Sequence, residues 1–187
     1  KNIYAIDLIS PDKEFEKVDF FNTNIFDQKA LAKTLKNKKI DVFIHLVGSP
    51  SVWRSEQDPI KDIEINLISF LNVLKLSEKI GIKRIVFSSS CQVIETLESN
   101  SKTNYGLSKY AAELYIKKFC ADLCMEYCIL RPSWIYGPGM VKNPIFDVIE
   151  ASNVAKKEMF IAEGTALDYI YSEDVASAFL MASTEKN

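Results

Sequence analysis

A tyrosine and a lysine four residues apart, Tyr105 and Lys109, have the types and spacing of a proton-transfer site. Residues at i and i+4 of a helix lie on one face, so the phenol and the ammonium would be neighbours. A free tyrosine has a pKa of about 10, and a nearby cation lowers that pKa because it favours the phenolate. A serine from the run 88–90 could hydrogen-bond the same substrate oxygen. The pair alone is weak evidence, since this spacing is common on solvent-exposed helices.

Predicted strands and helices alternate along the chain and would position these side chains. Short apolar runs with β-branched or aromatic residues predict strands, and amphipathic segments between them predict helices. The predicted strands are 3–8, 18–21, 41–47, 84–87, 127–130, 159–161 and 168–171. The predicted helices are 27–36, 59–80, 103–123 and 144–154, with another from about residue 173. This alternation predicts an α/β fold with a doubly wound parallel sheet.

The boundaries of these elements carry further signals. Asp58 is the expected N-cap of the helix 59–80 and Gly81 its C-terminal stop, while the Gly and Pro residues of 135–139 predict a turn. The serine run follows directly on the strand 84–87. Ligands of open α/β sheets bind outside the carboxyl ends of the strands, so the serines are expected at such a site.

The composition is that of a globular protein with one sizeable core. Of the 187 residues, 48% are hydrophobic and 26% are charged, and the net charge is −2. The densest basic cluster, at 36–39, closes an amphipathic helix, so nucleic acid is not expected as a partner. No apolar stretch is long enough to span a bilayer, so a membrane is not expected either. The single histidine, His45, is expected in the core. No metal site is expected, and the four cysteines are expected to be free thiols in the cytoplasm.

Further motifs occur in a definite order around the tyrosine and the lysine. They are 41–48, Asp58-Pro59 with Asn66, 81–90, 105–109, Arg131-Pro132, 136–139 and 168–176. In this order the chain resembles the extended short-chain dehydrogenases/reductases of the NAD-dependent epimerase/dehydratase family, which includes the nucleotide-sugar 4-epimerases. The resemblance covers nearly the whole chain and implies a Rossmann-like fold with NAD as its cofactor.

The resemblance implies catalytic and cofactor-binding roles. Tyr105 would be the acid/base, Lys109 would hold the nicotinamide ribose and lower the pKa of the tyrosine, and Ser90 would hydrogen-bond the substrate oxygen. The implied cofactor-binding residues are Asp7, Asn24, Ile25, Leu46, Val47, Gly48, Asn66, Ser88, Tyr105, Lys109 and Pro132. At the end of its strand, Asp7 favours NAD over NADP because a carboxylate repels a 2′-phosphate, although it could also be only a turn residue.

The substrate side departs from the family pattern. Besides Ser90, the implied substrate-binding positions are Trp134 and Leu167, which stand where many relatives carry an Asn and an Arg. Cys91-Gln92 replaces the Asp-Glu pair of the family's 4,6-dehydratases. This replacement argues against dehydration.

The family's glycine-rich phosphate loop and the strand before it have no counterpart in these residues. That strand normally lies in the middle of the sheet, and its loss would leave two strands with unpaired backbone groups. We therefore expect the chain to belong to a longer polypeptide. The expected organisation is an incomplete NAD-binding domain at 1–132 and part of a substrate-binding region at 133–187, with segments that return to the first domain.

The expected function is that of an NAD-dependent epimerase or reductase acting on a nucleotide-linked sugar. Two alternatives stay open from the sequence. One is a non-catalytic dinucleotide-binding sensor or scaffold of the same fold, and the other is a reductase of small aldehydes or ketones. A homodimer through the helices 59–80 and 103–123 is expected from the resemblance.

Overall fold

The computed structural model describes residues 2–11, 15–99, 102–140 and 167–185. The described strands are β1 (Ile3–Asp7), β2 (Val18–Asn22), β3 (Val42–His45), β4 (Arg84–Ser88), β5 (Glu126–Leu130), β6 (Trp134–Tyr136) and β7 (Tyr169–Tyr171). The described helices are α1 (Gln28–Leu35), α2 (Val52–Gln57), α3 (Pro59–Ile63), α4 (Ser69–Ile80), α5 (Gln92–Glu98), α6 (Asn104–Leu123) and α7 (Ser172–Thr184), with a π-helix (Glu64–Ile68) between α3 and α4. Predicted and observed elements agree within one or two residues at their shared boundaries.

All strand pairs formed by the described residues are parallel. Strand β1 pairs with β2, β4 lies between β3 and β5, and β6 pairs with β7. Parallel neighbours need a crossover connection, and α4 and α6 supply it before β4 and β5 respectively. The predicted α/β class with parallel strands is therefore confirmed. Within the described ranges the strands form three separate sheets, β1–β2, β3–β4–β5 and β6–β7.

Helices cover both faces of β4, the central strand of the three-stranded sheet. Successive residues of a strand point to opposite faces. Ile85 and Phe87 pack into a cluster with apolar residues of α1, α4 and α6, whereas Val86 packs with Val175 and Phe179 of α7. Burial on both faces is what a doubly wound sheet requires, and it explains why the run 85–87 is apolar without alternation.

His45 lies in the core, as the sequence predicts. Its ring centroid is 4.6 Å from that of Phe70 and 5.7 Å from that of Phe87. Burial, together with the nearby charge of Lys109, lowers the pKa of His45 to about 3. The imidazole is therefore neutral at physiological pH.

The predicted helix 59–80 is continuous but includes the π-helix, which the sequence pattern did not indicate. Its ends agree with the prediction, since the Asp58 side chain caps the N-terminus and Gly81 caps the C-terminus with a φ of 73°. A π-turn holds one residue more than an α-turn and therefore rotates the side chains that follow it. Asp62 and Asn66, before and within this turn, are both buried.

The structure corrects the predicted turn at 135–139, adds two helices that were not predicted, and leaves two predicted elements outside the described residues. The segment 135–139 is not wholly a turn, because its first two residues belong to β6 and only Gly137 and Gly139 have positive φ, at 152° and 86°. The short helices α2 and α5 were not predicted, since six or seven residues are too few for a clear helical period. The predicted helix 144–154 and strand 159–161 lie outside the described ranges.

Candidate functional site

Helix α6 places the tyrosine and the lysine on its buried face. Thr103 caps this helix by accepting a hydrogen bond from the Gly106 N–H at 3.0 Å. Tyr105 is 9% exposed and Lys109 is 3% exposed. The predicted arrangement on one helix face is therefore confirmed. The fully or nearly buried residues of α6 are Tyr105, Gly106, Ser108, Lys109, Ala112, Glu113, Ile116 and Cys120.

Ser90 reaches Tyr105 from the loop that follows β4. It is 8% exposed, and its Oγ accepts a hydrogen bond from the Gln92 N–H at 3.2 Å. Burial raises the pKa of Tyr105, and a hydrogen bond with the Ser90 side chain opposes this rise, while Asp62 and Cys91 add to it. For the groups of this chain by themselves, the pKa of Tyr105 is raised rather than lowered, because burial and a nearby carboxylate outweigh the serine.

Lys109 extends from α6 to the end of β4. Its Nζ donates to the Ser88 carbonyl at 3.0 Å and lies 5.1 Å from the centroid of the Phe87 ring. Burial lowers the pKa of Lys109 to about 8, although Asp62 opposes the shift. Lys109 is therefore mostly a cation at neutral pH and begins to lose its proton at a pH slightly above neutral.

Asn66, which the π-helix directs inward, joins three elements at this point. It is fully buried, and its Oδ1 accepts from the Ser49 N–H at 2.8 Å. Its Nδ2 donates to Asp62 Oδ1 at 2.7 Å and to Ser108 Oγ at 3.2 Å. The sequence analysis placed Asn66 at the cofactor site but missed Asp62 and Ser108. The spacing of Asp62 and Asn66, four residues apart on a helix, was the available signal.

Gly48, after β3, lies against the lysine and the asparagine. A Cβ at this glycine would be 2.9 Å from Lys109 Nζ and 3.0 Å from Asn66 Oδ1. Only glycine leaves the backbone open here, as the approach of a bound cofactor would require. Leu46 is exposed and Val47 is half-buried beside it. The residues present therefore fit a cofactor that approaches the backbone at the end of β3.

Asp7 and Asn24 lie at the neighbouring ends of β1 and β2, where the Thr23 N–H donates to the Asp7 carbonyl at 3.2 Å. Both side chains are exposed and bond to backbone nearby: Asp7 Oδ1 accepts from the Ile9 N–H at 3.1 Å, and Asn24 Oδ1 from the Phe26 N–H at 2.9 Å. Ile25 packs against the core.

The predicted substrate-side residues sit on the small β6–β7 ladder and beside it. Trp134 begins β6, and its N–H donates to the Asp168 carbonyl at 3.1 Å, next to the exposed Leu167. The Pro132 carbonyl accepts from the Cys91 N–H at 3.1 Å. Pro132 is thus tied to the loop that holds Ser90, whereas Trp134 and Leu167 form a second group.

A buried ion pair supports the serine loop, and the sequence analysis missed it. Glu113, with its side chain 1% exposed, accepts from Arg131 Nε at 2.9 Å and from an Arg131 terminal nitrogen at 2.6 Å. It also accepts from Ser89 Oγ at 2.5 Å. The Glu113 side chain therefore fixes the residue next to Ser90. The i+4 spacing from Lys109 was the signal, because it puts Glu113 on the buried helix face.

The described residues form neither a metal site nor a membrane-spanning helix. They contain no group of three or more His, Cys, Asp or Glu side chains that could hold a metal ion. No helix that the structure describes is long and apolar enough to cross a membrane. All four cysteines are free, and burial raises the pKa of Cys120 to about 11.

Comparison with known proteins decides the family. The model of the NAD dependent epimerase/dehydratase family matches residues 3–187. The chain belongs to this family. The predicted family, fold class and cofactor type are thereby confirmed, since the matched family depends on NAD and its matched members are enzymes.

The relatives of this family member include several 4-epimerases. It is 33% identical over 186 residues to a candidate UDP-glucose 4-epimerase of Methanocaldococcus jannaschii, covering 91% of this chain and 61% of that protein. It is 28% identical over 195 residues to the UDP-glucose 4-epimerase of Homo sapiens, covering 88% of this chain and 56% of the human enzyme. The chain thus spans about three fifths of the length of the curated relatives it matches.

Solved structures of the family have the same fold. The UDP-glucose 4-epimerase of Thermus thermophilus in complex with NAD has a TM-score of 0.82 and 25% identity, with 98% of this chain and 67% of that chain covered. The UDP-glucose 4-epimerase of Thermotoga maritima with UDP-glucose has a TM-score of 0.85 at 24% identity, with 99% and 66% covered. The second likeness shows the fold alone.

Proposed function

We propose that this protein is an NAD-dependent 4-epimerase of a nucleotide-linked sugar. The observation that carries the proposal is the meeting of Ser90, Tyr105 and Lys109 at the carboxyl end of β4. Ser90 hydrogen-bonds the buried phenol, and the buried ammonium lies on the same helix face one turn away. A non-catalytic dinucleotide binder has little use for such a set, because burying an ammonium and a phenol together costs stability.

Several residues are suited to hold the cofactor. Lys109 Nζ and Asn66 Oδ1 flank the open backbone at Gly48, and they offer a donor and an acceptor to a ribose. The Asp7 carboxylate would accept from the adenosine ribose hydroxyls, which favours NAD over NADP. We assign residues 1–132 to cofactor binding and 133–187 to the substrate side. Bound NAD would supply the site with a reversible hydride acceptor.

The side chains would move one proton. The Tyr105 phenolate would accept the proton of the sugar hydroxyl as that carbon is oxidised, and it would return the proton when the carbon is reduced. The Ser90 hydroxyl would hydrogen-bond the same oxygen throughout. The Lys109 cation would favour the phenolate, countering the burial and the Asp62 charge that raise the pKa of Tyr105. The position of Cys91-Gln92 after Ser90 supports epimerisation rather than dehydration.

The test of this function is product analysis with the protein at its full natural length. Purified protein with NAD would be incubated separately with UDP-glucose, UDP-galactose, their N-acetylated counterparts and UDP-glucuronate. We expect each sugar to be converted to its 4-epimer without net formation of NADH. Chromatography separates and quantifies the two epimers. Net NADH formation would instead identify an oxidoreductase. Tight NAD binding without turnover of any of these sugars, or of simple carbonyl compounds, would identify a sensor or scaffold.

We also infer a homodimer formed by the helices of residues 59–80 and 103–123. Apolar side chains on both helices are exposed in the single chain, which supports burial against a second copy: Ile60, Ile63, Ile68, Leu107, Leu114 and Tyr115. Light scattering at micromolar concentration is expected to give twice the mass of the chain, and Leu114→Lys to lower it to that of one chain. A monomeric mass for the unmodified protein would contradict the inference.

The free cysteines support a location in the reducing cytoplasm.

A further inference from the structure

Asp62 is a buried carboxylate beside the candidate catalytic residues. It is 3% exposed, and its Oδ1 accepts the Asn66 amide at 2.7 Å. Its Oδ2 is buried and has no hydrogen-bond partner among the described residues. A buried carboxylate is costly unless a cation or several donors compensate it. The charge of Asp62 favours the ammonium form of the buried Lys109, whose pKa it raises against the effect of burial.

The carboxylate also determines how the Asn66 amide is oriented. A carboxylate can only accept hydrogen bonds, so Asn66 must turn its NH₂ group towards Asp62. Ser108 Oγ accepts a hydrogen bond from the second N–H of that group, and the amide oxygen accepts one from the Ser49 N–H. Because Asn66 Oδ1 and Lys109 Nζ flank the same point above Gly48, the orientation of the amide decides what the site offers there.

We propose that Asp62 is a positioning residue that orients the Asn66 amide and holds the buried Lys109 ammonium in its charged form. It acts through these two residues rather than on the substrate. Its importance for turnover rests on the function proposed above, but its effects on Asn66 and Lys109 do not.

Four titratable groups surround this arrangement. Tyr105 and Lys109 come from α6, Cys91 from the loop after β4, and His45 from β3. Asp62 raises the pKa of both Tyr105 and Lys109. Loss of its charge should therefore lower both values. The two consequences oppose each other, because the phenolate forms more easily while the lysine loses its charge at a lower pH.

The variant Asp62→Asn removes the charge and keeps an acceptor oxygen for the Asn66 amide. In the full-length protein, ¹³C labels at lysine Cε and tyrosine Cζ report the two titrations by NMR without cofactor or turnover. We expect the pKa of Lys109 to fall from about 8 by on the order of one pH unit, with a fall for Tyr105 as well. Glu64→Gln is the matched control, since Glu64 is an exposed carboxylate two residues away that pairs with Lys61.

In the same variant, the alkaline limb of the kcat profile should move to lower pH together with the Lys109 titration. At pH 8 the loss of kcat should be about fivefold, with KM for the sugar nearly unchanged. Unchanged pKa values of Lys109 and Tyr105 in the variant would overturn the proposal. So would a loss of kcat of equal size at every pH that is not accompanied by a shift of these pKa values. If the amide variant does not fold, Asp62→Ser serves the same titration. Shifted titrations in a protein without epimerase activity would refute the proposed function and leave the role of Asp62 standing.

Discussion

Replacing Tyr105 with phenylalanine is expected to lower kcat by about 10²- to 10⁴-fold, the usual contribution of a general acid/base. The phenylalanine keeps the ring in its buried place on α6 but has no hydroxyl to take the substrate proton. Ser90 would keep its hydrogen bond with the Gln92 N–H and lose only the one with the phenol. The affinity for NAD should therefore change little. Fluorescence titration with NAD measures this affinity, and steady-state kinetics of sugar conversion measure kcat.

The control for this experiment is Tyr115→Phe. Tyr115 lies on the same helix, on the face that is exposed in the single chain and assigned above to the dimer contact. Because phenylalanine keeps the ring there, loss of the hydroxyl should leave kcat within about twofold of the unmodified protein. A Tyr105→Phe protein that turns over at the rate of the Tyr115→Phe protein would refute the assigned role of the phenol. A parallel collapse of NAD affinity and kcat would mean that Tyr105 serves binding rather than proton transfer.

Replacing Arg131 with methionine is expected to destabilise the protein by about 3–5 kcal/mol, the typical cost of breaking a buried ion pair. The change leaves the Glu113 carboxylate, with its side chain 1% exposed, without its cation and, among the described residues, with only the Ser89 hydroxyl as a donor. Arg131 itself is partly exposed, so Glu113→Gln should cost less, because water can solvate the guanidinium that remains. Urea unfolding followed by circular dichroism measures both variants.

Two further variants separate the ion pair from other effects. Lys118→Met breaks the exposed pair with Asp122 on the same helix and should cost less than about 1 kcal/mol. The double variant Arg131→Met with Glu113→Leu removes both charges and should recover much of the loss, since an apolar pair of similar size carries no stranded charge. An Arg131→Met protein as stable as Lys118→Met would show that Glu113 is compensated by other groups.

The helix with the site shows how far sequence patterns reach. The i, i+4 spacing of Tyr105 and Lys109 predicted a shared face, and α6 has that face. The same helix has little contrast between apolar and polar faces in sequence, because its buried face carries Ser108, Lys109 and Glu113. Hydrophobic periodicity therefore indicates the helix but not which of its charged residues are buried. That depends on Arg131, which arrives from the end of β5.

The pKa of Tyr105 was beyond prediction for a related reason. The motif suggested that Lys109 would lower it, because a neighbouring cation favours the phenolate. The folded chain buries the phenol and adds the charge of Asp62, which lies 43 residues earlier in sequence. Only the packing of the segment around the π-helix against α6 brings that charge to the site.

By itself the sequence determined the alternation of strands and helices, the parallel α/β class and the candidate set of Ser90, Tyr105 and Lys109. These follow from periodicity and capping residues, which act over a few residues, and from the order of short motifs along the chain. Tertiary structure alone decided the π-turn, the contact of Asp62 with Asn66, the Glu113 to Arg131 pair and the direction of the tyrosine and lysine pKa shifts. Desolvation and charge pairing depend on which distant segments pack together, and no local pattern records that.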